Sequence, residues 1–154
     1  MDDGPTPIAQ SCCGPPERCV FAKALLSRSV VCECSARRAE GEQTHVVCSS
    51  PIARTNCATL AALLHERSRF ALRLPAPTQP LLHAQALRLQ CGGLAALQQL
   101  LGDGDGDCDD DHERDVHRSV AQAQLRYGSL TELPWQQLVA ALAAWQAPRR
   151  ARGR

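Results

Sequence analysis

Aromatic side chains are scarce in this chain: two Phe, two Trp and one Tyr among 154 residues. Binding to single-stranded nucleic acid needs stacking surfaces as well as positive charge, so the scarcity argues against that role despite the arginines near the C-terminus. Long apolar runs are missing too. No uninterrupted stretch of about 18 apolar residues exists that would cross a bilayer. The segment Met1–Pro7 has neither the basic nor the apolar region of a secretory leader. A cytoplasmic protein without a membrane span is therefore the expectation.

Chemical motifs are equally sparse. The chain has no Gly-rich phosphate loop, no nucleophile elbow and no zinc-hydrolase helix motif, so no reaction is spelled out. It has no CxxC, which removes zinc ribbons, thioredoxin-type redox pairs and the closely spaced ligand run of bacterial ferredoxins. Lysine occurs once, at Lys23, and the other sixteen cationic residues are arginine. With abundant Ala and Leu, this is the mark of a GC-rich, bacterial type of coding and has no functional meaning. Net charge is +1, but it is segregated: positions 103–115 hold eight acids against Arg114, and Arg149, Arg150, Arg152 and Arg154 form a basic tail.

What is abundant is cysteine: nine residues, at positions 12, 13, 19, 32, 34, 48, 57, 91 and 108. A chain of this length buries a core without covalent staples. In a reducing cytosol such a density reads as metal-binding or redox-active before it reads as disulfides, and an odd number cannot all pair.

Periodicity predicts an all-α protein of five main helices. Residues 1–16, with four prolines, two glycines and Cys12-Cys13, read as a flexible arm. Residues 17–147 read as one helical domain with an acidic loop at 103–113, and 148–154 as the tail. Phe21, Leu25 and Cys32 at i, i+4 and i+11 predict a first helix over about 17–38, ended by Ala39-Glu40-Gly41-Glu42. Thr44–Cys48 is a short extended connector or one short strand. Ser50-Pro51 starts a second helix that runs to about Leu72, with Ile52, Thr59, Leu60, Leu63, Leu64 and Phe70 as its buried side. Prolines 75, 77 and 80 make a stiff linker. A third helix from about Leu81 meets Cys91-Gly92-Gly93, a predicted break or kink. A fourth runs from Val116 to Gly128, and a fifth carries Trp135, Leu138, Leu142 and Trp145.

On a continuous first helix Cys19 and Cys34 lie roughly 22 Å apart, and Cys32 and Cys34 point about 200° apart. A single site must then draw its ligands from one end of the bundle. The expected set is Cys19, Cys48, Cys57 and Cys91, with Cys32 or Cys34 as alternates to Cys19. Cys48 precedes a helix N-terminus, which favours a thiolate, and Cys91 precedes two glycines whose amides suit a cluster's sulfides. His45 is the histidine best placed to join. An all-thiolate set with few histidines suits an iron–sulfur cluster of the 4Fe-4S type, with zinc as the alternative. The expectation is electron transfer or redox or iron sensing with a partner protein. The competing reading is a metal-free adaptor that binds partners through the acidic loop and basic tail, its cysteines being small core residues. Asp103-Gly104-Asp105-Gly106-Asp107 fails the calcium-loop pattern, since Cys108 takes the place of the required glycine and Arg114 that of the final acid.

Overall fold

The computed structural model describes residues 17–102 and 115–147. The predicted arm, acidic loop and basic tail, and with them Cys12, Cys13 and Cys108, lie outside the described residues. The order of elements is β1 (Glu17–Arg18), α1 (Ala22–Leu26), β2 (Ser35–Glu40), β3 (Gln43–Cys48), α2 (Pro51–Ser68), α3 (His83–Leu101), α4 (Val116–Tyr127), a 3-10 turn (Leu130–Glu132) and α5 (Trp135–Ala144). The protein is therefore mixed α/β and not all-α: among the described residues, five helices accompany a three-stranded antiparallel sheet in the order β1-β3-β2.

The correction falls on residues 17–48. The predicted first helix is only one and a half turns long, because Arg28 adopts a left-handed conformation (φ 62°) that ends α1 just beyond its C-cap, Ser27. The segment read as a helix stop is instead the tip of a β-hairpin. Glu40 pairs with Gln43, and the two-residue loop opens with Gly41 at φ 65°. Positive φ at the first loop residue is what a type II′ turn requires, and glycine meets it without steric cost. Val46, Val47 and Cys48 turn to the core while β2 is exposed along nearly its whole length.

The four longer helices follow their sequence signals closely. Ser50 caps α2 by accepting the Ala53 N–H, with Pro51 in the first turn. Asp115 caps α4 by accepting the Arg118 N–H, and Gly128 (φ 83°) ends it. The buried side of α2 differs from expectation. Ala53, Cys57, Leu60, Leu64 and Ser68 face inward, whereas Ile52 and Phe70 are 76% and 88% exposed. None of the described helices is long and apolar enough to cross a membrane.

Helix α3 runs straight through Gly92-Gly93 without a break. A Cβ added at Gly93 would stand 2.7 Å from Leu64 Cδ1, and one at Gly92 would meet the Trp145 ring at 3.4 Å. The glycines thus let α3 approach α2 and the end of α5 closely. Their cost in helix propensity, about 1 kcal/mol each, is offset by packing around Leu64, Leu94 and Leu97, which are almost fully buried. Gly93→Val is expected to destabilise the protein by about 1–3 kcal/mol through overpacking, read as a lower guanidinium midpoint with an unchanged slope.

Candidate functional site

Three elements meet at the base of the hairpin. Antiparallel pairing sets Cys48 opposite both Glu17 and Ser35. The Cys19 N–H donates to Val46 O at 2.8 Å, continuing the β1 ladder, so Cys19 lies diagonally across the sheet from Cys48. Cys34 lies one step past the hairpin's last pair, its carbonyl accepting both the Ser49 N–H (2.8 Å) and the Ser49 hydroxyl (3.0 Å). Cys32 precedes a tight turn in which its carbonyl accepts from Ser35. Cys57, in the second turn of α2, packs beneath in the same core as Phe21 and Val46.

The N-terminus of α4 closes the third side. The Val116 N–H donates to Val31 O at 2.8 Å, and Asp115 accepts the Glu33 N–H on Oδ2 at 2.8 Å. This docking brings the His117 backbone amide against the Cys32 sulfur. The His117 side chain stands 3.7 Å from Glu33 and lines, with Cys57, a small cavity of about 20 Å³ between α2 and α4.

Five thiols are thereby gathered from separate stretches of chain. Cys57 lies within electrostatic reach of Cys19, Cys32, Cys48 and Cys34. Cys48 acts on Cys19, Cys32, Cys34 and Cys57. Burial pushes the Cys57 thiol from 9.0 up to about 12, and the neighbouring sulfurs push in the same direction. Burial likewise raises Cys19 and Cys34 to about 11, and it raises Cys32. Two of the sulfurs also have groups that favour the thiolate. The Phe21 amide lies against Cys19, and the Cys34 and His117 amides lie against Cys32. Backbone N–H groups directed at sulfur in this way stabilise a charged ligand.

The sequence-derived set is partly brought together here. Cys19, Cys48 and Cys57 share the site with both alternates, Cys32 and Cys34. Cys91 lies elsewhere, buried on α3 with its sulfur 3.5 Å from Ser27 Oγ, and the glycines after it serve helix packing. His45 pairs with Glu40 at 3.2 Å on the hairpin. His117, to which the sequence assigns a weak claim, reaches the site through its backbone amide, which lies against the Cys32 sulfur. Its only signal was its place next to Val116, the first core residue of α4. Among the described residues, no three His, Cys, Asp or Glu side chains converge closely enough to hold a metal ion as they are placed. Cys48 Sγ, for instance, is turned toward Ser50 O, at 3.3 Å.

Fold and site together define a small α/β protein with a group of buried and half-buried thiols at the junction of a hairpin and two helices. Compared with known proteins, the chain matches no family model, no curated protein and no solved structure.

Proposed function

We propose that this chain is a metal-binding protein whose ion is zinc, held by thiolates of Cys19, Cys32, Cys48 and Cys57, with Cys34 as the neighbouring fifth thiol. The observation that carries this reading is the crowding of five thiols around Cys48 and Cys57. Such crowding is unfavourable for anions alone. Two thiolates about 5 Å apart repel by about 3 kcal/mol at an effective dielectric constant of about 20. A divalent cation reverses the sign, because each sulfur then pays its desolvation against a metal–sulfur bond. Cys34 ranks behind the other four because its sulfur is the least covered.

Coordination requires the sulfurs to turn inward from their present directions. Zinc suits this better than the iron–sulfur cluster that composition suggested. The small cavity beside Cys57, about 20 Å³, is lined by none of the other thiols, so the ligands' common centre lies in packed core, where one ion displaces less than a cubane would. Zinc is redox-silent and tetrahedral in structural sites. Its role here is to clamp the sheet and the 31–34 turn to α2, and no electron transfer follows from it. Protein prepared from zinc-supplemented cells is expected to carry about one zinc per chain and to be colourless, as read by elemental analysis and an absorption spectrum. Iron with acid-labile sulfide would replace zinc by the cluster reading, and protein that takes up neither metal would sink both.

A further inference from the structure

We propose that a second site, remote from the thiols, binds a primary amine carrying an apolar tail. A cavity of about 480 Å³ opens between α2, α3 and the linker that joins them, within the size range of small-molecule pockets. Its walls are apolar, with Phe21, Leu64 and Leu89 among them, and all three are buried core residues. Its polar groups are His65, Glu66 and Gln90.

The chemistry of these groups selects the head of the ligand. His65 Nε2 lies 3.0 Å from Pro75 O. A carbonyl only accepts, so Nε2 carries the proton, and in the neutral ring Nδ1 is left as an acceptor. Glu66 is exposed, and it makes no hydrogen bond or ion pair among the described residues. Gln90 spends its amide oxygen on the Ala24 N–H at 3.2 Å, which leaves its NH₂ as the pocket's one side-chain amide donor. A carboxylate and an imidazole lone pair on the lining of one pocket call for a donor-only, positively charged head. An ammonium group meets that demand, and an alkyl chain fills the walls behind it.

The test is calorimetric titration of the whole protein at about pH 8, where an alkyl amine is cationic, with octylamine, octanol and octanoate as probes. Octylamine is expected to bind about fivefold more tightly than the other two, the modest gain of an ion pair with an exposed carboxylate. Glu66→Gln should bring the amine down to the level of the alcohol. Ala62→Trp, at an exposed helical position on the pocket lining, should abolish binding of all three while the circular dichroism spectrum stays unchanged. The proposal is overturned if octanoate or octanol binds as tightly as the amine, if none of the probes binds, or if either substitution leaves amine binding intact.

Discussion

Cys32→Ser is expected to lower zinc affinity by about a hundredfold, whereas Cys34→Ser and Cys91→Ser keep it within about threefold of the parent. Structural zinc sites contribute about 10–16 kcal/mol of apparent binding free energy near neutral pH, so one thiolate of four carries about 3 kcal/mol. Cys32 is chosen because two backbone amides, from Cys34 and His117, lie against its sulfur. Serine keeps the shape and loses the soft ligand. The effect should extend to the fold, since the amide from α4 and the thiol from the 31–34 turn meet at this point. Without the ion, α4 is held to the hairpin side by the Val31–Val116 hydrogen bond and the Asp115 cap. Competition against a chromophoric chelator measures the affinity, and thermal melts with and without zinc measure the coupling. A Cys91→Ser protein that loses its zinc, or a Cys32→Ser protein that keeps it undiminished, would refute the ligand set.

Most helices were legible because their signals are local. Ser50-Pro51 at the start of α2 and Gly128 at the end of α4 each act within one turn, and the leucines of α3 repeat at helical spacing. The hairpin was not legible for a physical reason. Ser35–Glu40 reads Ser-Ala-Arg-Arg-Ala-Glu, with no β-branched or aromatic residue and almost no buried position. Its strand character comes from pairing with Thr44–Val47, a contact between segments that no window along β2 reveals. The same error shaped the reading of the site. A continuous helix over 17–38 kept Cys19 away from Cys34 and set Cys32 and Cys34 on opposite faces. Once the chain instead turns back at Arg28 and again before Ser35, all three reach the base of one sheet. Cys91 looked attractive because two glycines follow it, but those glycines are explained by Leu64 and Trp145 packing against them.

Zinc affinity is expected to increase as pH rises toward about 9, by at least about three powers of ten per pH unit, with at least about three protons released per ion bound. The slope follows from the thiols themselves. Burial holds Cys19 at about 11 and Cys57 at about 12, and raises Cys32, all from 9.0, so these ligands are protonated at neutral pH and must each give up a proton to bind. Chelator-treated protein should show the opposite trend in stability. Below pH 9 the folded and unfolded chains both keep these protons, and the raised values make no pH slope. Between about 9 and 12 the unfolded chain sheds protons that the folded chain retains. The unfolded state then binds fewer protons, and stability falls as pH rises. Guanidinium midpoints from about pH 8 to pH 11 should therefore decline with chelator present and hold with zinc bound, because a coordinated thiolate has already lost its proton. Proton release is measured by zinc titration in weak buffer with an indicator dye. Release of about one proton or none would mean that zinc does not sit on these thiols, since no other group at the site carries protons to give at neutral pH in that number.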